Sequence, residues 1–156
     1  MKLDKRIRQL KFIASIFQMA MTEFNNVMGP ETIQTIFRLI GENQGATIEE
    51  RIRNKYNISS WTLQELADKL ITDVFDSALG QNQAVIDVNG NEMKIVLKIC
   101  PFKKAGIKIE NKFYCTYTEG LIETIAKKAF SDIEFESKKL RAVDKCDCIF
   151  AINIKI

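Results

Sequence analysis

Hydrophobic residues recur at helical spacing along the first part of the chain. From Leu3 to Met28 they alternate every four and three positions, which predicts one long helix ended by Gly29 and Pro30. Additional apolar residues make this stripe wider than one packing partner requires. We therefore expect the helix to contact its own core on one side and a second copy of the chain on the other, which predicts a homodimer.

Helix boundaries in the next fifty residues are predicted from glycines and capping boxes. A second helix follows Pro30, and Gly41 is predicted to end it. Thr47 to Glu50 and Thr62 to Glu65 both fit the capping box, in which a threonine and a glutamate satisfy the first free amides of a helix. They predict a short helix and then a longer one that Gly80 ends. Residues 1–80 are thus expected to be helical.

The hydrophobic period then changes to two, which is typical of strands. A hairpin turn is predicted at Asn89-Gly90-Asn91, because an Asn-Gly pair tolerates positive φ values. The predicted elements are hairpin strands at 84–88 and 92–99, a helix from a third capping box at Thr116 to Glu119, and strands at about 133–143 and 148–156. We expect an α+β fold in a single domain, 1–156, in which N-terminal helices (1–80) and a hairpin, helix and hairpin unit (84–156) form a four-stranded antiparallel sheet with helices on one face.

Composition excludes several function classes. The 23 basic and 20 acidic residues give a net charge of +3 without a dense basic block, which argues against a nucleic-acid partner. Histidine is absent, so His-based triads and HExxH metal sites are excluded. No phosphate-binding loop, nicotinamide motif or flavin motif is visible, so the sequence does not favour an enzyme.

Targeting signals are also lacking in the sequence. The N-terminal residues contain no apolar signal-peptide region, and no stretch reaches the roughly 20 apolar residues that span a bilayer. We therefore expect a cytoplasmic protein without a membrane span. In a reducing compartment, cysteines are expected to serve as metal ligands, reactive thiols or core residues rather than disulfides.

The C-terminal third resembles the 4-vinyl reductase domain family, in its free-standing archaeal hydrocarbon-binding form. The resemblance rests on Cys100-Pro101-Phe102, Cys115 to Glu123, Leu140-Arg141-Ala142 and Cys148-Ile149-Phe150, with a looser match at Phe37 to Gly45. It implies a fold similar to the small subunits of TRAPP vesicle-tethering complexes, a small-molecule sensing role and, in several members, a zinc site of cysteines and a glutamate.

Three functions follow from this resemblance. The first is a binding or sensing module that encloses a small hydrophobic molecule between the helices and the sheet; the alternatives are a vinyl-group reductase or accessory redox protein, and an assembly adaptor of the TRAPP-subunit type. A ligand pocket is expected where the apolar sheet face meets helices that can part, although a filled core is the competing expectation. The expected ligand-binding residues are Met93, Ile95, Leu97, Phe102 and Tyr117.

The cysteines are the candidate metal ligands. The family pattern has a cysteine where this chain has Leu140, but Cys146 and Cys100 are available to restore four thiolates. The predicted structural zinc site is Cys100, Cys115, Cys146 and Cys148, with Glu136 as the alternative to Cys100. An iron-sulfur cluster is less favoured, because Cys146-Asp147-Cys148 lacks the common ferredoxin spacing. Buried cysteines that only pack in the core are the other interpretation.

Overall fold

Helices make up the first half of the chain and a sheet with one long helix makes up the second. The computed structural model describes residues 2–104, 113–140 and 147–155. The helices are α1 (Lys2–Met28), α2 (Pro30–Tyr56), α3 (Leu63–Lys69), α4 (Asp76–Leu79), α5 (Pro101–Lys104) and α6 (Phe113–Ala129), and a π-helical segment, Leu70–Phe75, joins α3 to α4. The strands are β1 (Ala84–Asn89), β2 (Glu92–Leu97), β3 (Ile133–Lys139) and β4 (Cys148–Ile154).

The four strands form one antiparallel sheet in the order β1-β2-β4-β3. Ile95 of β2 pairs with Phe150 of the central strand β4, and both side chains are fully buried beneath the helices. This arrangement confirms the predicted α+β fold with helices on one face. The predicted hairpin is also confirmed, since Gly90 has a φ of +60° at the turn. The predicted extension of the third strand to residue 143 falls partly on residues 141–146, outside the described residues.

Helix α2 is longer than predicted. It continues through Gly41 to Tyr56, so the expected helix end at Gly41 and the capping box at Thr47 are both wrong. Gly41 is buried against α6, and the Thr47 hydroxyl donates to the Asn43 carbonyl at 3.0 Å, a bond within the helix. The helix ends instead at Asn57, whose φ of +53° is a left-handed cap.

The two other predicted capping boxes have opposite outcomes. Thr62 to Glu65 forms the complete reciprocal pair at the start of α3, and Gly80 follows the end of α4, so both predictions are confirmed. The box at Thr116 is wrong, because the chain is already helical at Phe113. The Thr116 hydroxyl lies 3.0 Å from the Gln34 carbonyl and 2.6 Å from the Phe113 carbonyl, and its one proton, shared between the two, links α6 to α2.

Three glycines let α2 and α6 pack with their backbones in contact. A β-carbon at Gly45 would lie 2.6 Å from the Leu121 carbonyl oxygen, and one at Gly120 would lie 2.5 Å from the Arg38 carbonyl oxygen. A β-carbon at Gly41 would overlap the carbonyl oxygen of Tyr117. Because no real side chain fits at such distances, this close approach requires residues without a β-carbon.

Ion pairs fasten the same two helices beside the glycines. Arg38 of α2 contacts Glu123 of α6 and lies 2.7 Å from Glu42, while Lys127 lies 2.6 Å from Glu123. Burial alone would raise the pKa of Glu123, but the hydrogen bonds from Lys127 and Arg38 and their charges hold that pKa below its ordinary value. The carboxylate is therefore stabilised in its charged form between the helices.

A buried carboxylate fixes the C-terminal part of α2. Glu49 is only 4% exposed, and it accepts a hydrogen bond from the Trp61 indole N–H at 2.7 Å. The Arg53 guanidinium lies 2.6 Å from the same carboxylate. Trp61 is thus a buried anchor of the turn between α2 and α3, since its polar group and the charge of Glu49 are both partnered.

We predict that Gly41→Ala destabilises the protein despite the better helix propensity of alanine. Propensity alone favours alanine by about 1 kcal/mol, but the added methyl group meets the backbone of α6, which cannot move like a side chain. We expect a net loss of about 2 kcal/mol in the free energy of unfolding, measured by urea denaturation.

Asn43→Ala is the matched control, because Asn43 is exposed on the same helix. It should leave the free energy of unfolding unchanged or slightly higher. Equal stability of the Gly41→Ala variant and the wild type would refute close backbone packing at this contact.

Candidate functional site

A cleft of about 270 Å³ opens between α2, α6, the π-helical segment and the end of β2. Most of its surface is apolar, although six of the thirteen lining residues have polar or charged side chains. The lining residues are Gln44, Ile48, Arg51, Asp73, Val74, Phe75, Ser77, Ala78, Leu79, Leu97, Tyr117, Thr118 and Leu121. Apolar walls with few polar groups are typical of small-molecule sites.

The π-helical segment forms one wall of the cleft. The backbone N–H of Asp76 bonds to the carbonyl of Ile71, five residues back, rather than to the carbonyl four residues back as in an α-helix. This insertion widens the turn that carries Asp73, Val74 and Phe75, all of which line the cleft. Short π-helical segments occur frequently at functional sites.

Residues Gln44, Ile48 and Arg51 form the α2 wall, because a spacing of four and then three places them on one face of the helix. Opposite them on α6, the Tyr117 hydroxyl donates to the Gln44 side-chain oxygen at 2.6 Å. Burial raises the pKa of Tyr117, so its hydroxyl remains protonated and able to donate. This bond joins the two helices at the edge of the cleft.

The acidic group of the cleft has its own partners. Asp73 lies 2.5 Å from the Lys55 ammonium and accepts hydrogen bonds from Tyr56 at 3.0 Å and Thr72 at 3.1 Å. Burial alone would raise the pKa of Asp73, but these three hydrogen bonds and the charge of Lys55 lower it. Asp73 is therefore an ionised carboxylate whose charge is balanced by Lys55.

The structure separates the five residues expected to bind a ligand. Leu97 and Tyr117 line the cleft, so the structure brings these two together. Met93 and Ile95 are fully buried in the core and do not line the cleft, which matches the competing expectation of a filled core at the middle of β2. Phe102 stacks on Tyr114 with ring centroids 4.4 Å apart and contacts Tyr117 edge-on.

A second, much smaller cavity contains three of the four cysteines. Its volume is about 20 Å³, too small for an organic ligand. Cys100 follows β2, Cys115 lies in the first turn of α6, and Cys148 pairs with Leu97 at the start of β4; all three line this cavity as half-buried reduced thiols. The topology therefore brings together the three predicted metal ligands that the structure describes.

These three thiols do not form a metal site as they stand. Within the described part of the chain, no three His, Cys, Asp or Glu side chains are arranged to hold a metal ion. Cys146 lies outside the described residues. Glu136 is exposed and pairs with Ala151, so it points to the sheet face opposite Cys148. The zinc site stays a prediction.

A long apolar surface is also exposed on the first two helices. Met21 is the one buried side chain among residues 4–28 of α1. The exposed large apolar residues are Ile7, Leu10, Phe12, Ile13, Ile16, Phe17, Met19, Phe24, Val27 and Met28 on α1, and Ile36, Leu39 and Ile40 on α2. We call this set the α1–α2 surface. None of the described helices combines the length and the apolar character that crossing a bilayer requires.

Sequence reasoning missed most of the cleft. It did not select the α2 wall, since the predicted end at Gly41 placed Ile48 and Arg51 in another helix. The spacing of Gln44, Ile48 and Arg51 was the available signal, because it marks one face of a continuous helix. The contribution of Val74 and Phe75 depends on the π-helical turn, for which the sequence offers no comparable signal.

Comparison with known proteins gives a relationship in fold. No family model matches the chain, and no curated protein matches it. Among solved structures, the fold is similar to that of a trafficking protein particle complex subunit 3 from Naegleria fowleri. In its crystal structure that subunit is covalently bound to palmitic acid. The TM-score is 0.57 at 18% sequence identity, over 94% of this chain and 95% of that chain. At this identity the likeness shows a shared fold.

The zinc prediction is tested by metal analysis of the purified protein. If Cys115 and Cys148 ligate zinc, the protein should contain about one zinc per chain, and a chelator should lower the melting temperature because the metal binds only the folded state. Cys148→Ser should abolish zinc binding. Comparing Cys100→Ser with Glu136→Gln identifies the fourth ligand. Metal-free protein with an unchanged melting curve in chelator would assign these cysteines to core packing.

Proposed function

We propose that the protein binds a small hydrophobic molecule in the cleft between α2, α6 and the π-helical segment. The observation that carries the proposal is the apolar wall of Ile48, Phe75 and Leu121 around about 270 Å³ that the side chains of residues 2–104, 113–140 and 147–155 leave unfilled. Binding of an apolar molecule in such a cleft is favourable, because it removes apolar surface of both the molecule and the cleft from water.

The polar groups of the cleft suit a ligand with one polar end. Gln44, Arg51 and Ser77 are exposed, whereas the apolar residues Ile48, Val74 and Leu79 are buried. An extended ligand would thus place its apolar part inward and its polar end near solvent. Each buried methylene contributes roughly 0.8 kcal/mol, so affinity should rise about fourfold per carbon until the cleft is full.

The fold relationship supports a lipid-like ligand. The similar trafficking protein particle complex subunit 3 holds palmitic acid covalently. Of the three cysteines that the structure describes, none lines the cleft, and Cys100, Cys115 and Cys148 line the other cavity. The proposed binding in the cleft is therefore non-covalent. On the sequence resemblance alone, we also propose that the chain is related to the 4-vinyl reductase domains, whose implied sensing role agrees with this function.

We propose in addition that two copies associate through the α1–α2 surface, the role that an assembly adaptor requires. An isolated helix is marginally stable in water, yet α1 has little packing of its own within the described chain. Its ten exposed large apolar residues and the three on α2 supply roughly 1,000 Å² of apolar area, and a stable interface needs about 800 Å² per partner.

Charge favours an antiparallel arrangement of the two α1 helices. Lys5, Arg6, Arg8 and Lys11 make the N-terminal half of α1 basic, while Glu23 is the charged residue of its C-terminal half. A parallel pair would place the basic halves side by side, at a cost in repulsion. An antiparallel pair with two-fold symmetry instead places each basic half beside the partner's Glu23.

Ala78→Trp tests the ligand proposal. Ala78 lines the cleft and is exposed, so a large side chain there should fill the space without disturbing the core. We expect at least a tenfold loss of affinity for a medium-chain alcohol such as decan-1-ol, measured by isothermal titration calorimetry. Glu50→Phe is the control, since Glu50 is exposed on α2 outside the cleft lining and should leave the affinity unchanged.

A wild-type protein that binds none of a series of straight-chain alcohols would contradict the ligand proposal. Mass spectrometry of organic extracts from the purified protein provides a second measurement, which should recover a hydrophobic compound from the wild type and less of it from the Ala78→Trp variant.

The dimer is tested with charges on the exposed apolar side of α1. Phe17→Glu combined with Phe24→Glu should convert a dimer to a monomer in light scattering at tens of micromolar, because both side chains are exposed within the α1–α2 surface. Ser15→Glu combined with Asn26→Glu adds the same charge to exposed polar positions and should preserve the dimer. A wild-type monomer at this concentration would refute the interface.

A further inference from the structure

The charges at the mouth of the cleft are unevenly balanced. Three charged side chains lie there: Arg51 and Asp73 line the cleft, and Lys55 is one turn beyond Arg51 on the same face of α2. Lys55 and Asp73 neutralise each other at 2.5 Å. Among the residues that the structure describes, Arg51 makes neither an ion pair nor a hydrogen bond. Within residues 2–104, 113–140 and 147–155, one positive charge therefore remains uncompensated at the opening.

Nearby carboxylates do not supply the missing partner for Arg51. The Glu49 carboxylate is buried in the core, where it accepts a hydrogen bond from Trp61 and pairs with Arg53. Asp73 is surrounded by Lys55, Tyr56 and Thr72. If Asp73 paired with Arg51 instead, Lys55 would lose its partner. The number of ion pairs would stay the same, so this exchange would not stabilise the protein. Because the described carboxylates leave the guanidinium unpaired, it is available to a group from outside these residues.

We propose that the cleft takes amphiphiles with an anionic headgroup and that Arg51 binds the head. This inference rests on the proposed function, because it concerns the ligand of the same cleft. The apolar wall accepts the hydrocarbon part, while the planar guanidinium donates two parallel hydrogen bonds to a carboxylate or a phosphate at the opening. The neutralised Asp73 offers an ammonium headgroup no comparable site.

Ligands with one chain and different heads test the inference directly. Decanoate, decyl phosphate, decan-1-ol and decylamine are titrated into the wild type by calorimetry, below the concentrations at which they form micelles. We expect decanoate or decyl phosphate to bind roughly fivefold more tightly than decan-1-ol, as for a charge-assisted hydrogen bond at an exposed site. The tighter of the two anions identifies the headgroup as carboxylate or phosphate.

Arg51→Gln should abolish this preference, so that decanoate, decyl phosphate and decan-1-ol bind the variant with similar affinities. Arg6→Gln removes an exposed arginine of α1 and is the matched control, which should keep the wild-type preference. Equal binding of decanoate, decyl phosphate and decan-1-ol by the wild type would overturn the headgroup assignment and leave the hydrophobic cleft in place. Tighter binding of decylamine would assign the head to Asp73 instead. Binding of none of the four would refute the proposed function itself.

Discussion

The backbone contact between α2 and α6 is the constraint on which the rest of the structure depends. Gly41, Gly45 and Gly120 bring the two helices closer than any pair of side chains would allow. At that distance the Thr116 hydroxyl reaches the Gln34 carbonyl, and Arg38 reaches Glu123. The close approach therefore comes first, and the polar contacts across the two helices follow from it.

The same contact produces the cleft. Gly45 lies beside Leu121, so the neighbouring residues Gln44 and Ile48 on α2 are carried to the edge of the helix pair, where Tyr117 faces them from α6. Side chains at such an edge diverge, because the backbones between them are already in contact. The widened π-helical turn covers the opening from the third side without filling it. A tight helix contact and a vacant space beside it thus have one cause.

The sheet was predictable because its signals are local. Alternation of apolar residues identifies β2 and β4, and the Asn89-Gly90 pair fixes the turn of the hairpin. Gly41 was misread for the opposite reason. A glycine that ends a helix and a glycine that admits a second helix look alike in sequence, and α6, which decides between them, lies some eighty residues away. Thr116 was misread similarly, because its hydroxyl bonds to α2 rather than capping α6.

The candidate site shows which structural features hydrophobic periodicity can predict and which it cannot. Alternation along β2 places Met93, Ile95 and Leu97 on one face, but it does not distinguish the middle of a strand from its end. Met93 and Ile95 lie where helices cover the sheet completely, whereas Leu97, at the end of β2, lies at the boundary of both cavities. Cys148 meets the same boundary because its register pairs it with Leu97. The sheet face on which a side chain lies depends on its own strand, whereas its burial depends on the helices that cover that face. Leu97 therefore borders a cleft because its side chain lies on the inner face at a place where the helices do not cover the sheet completely.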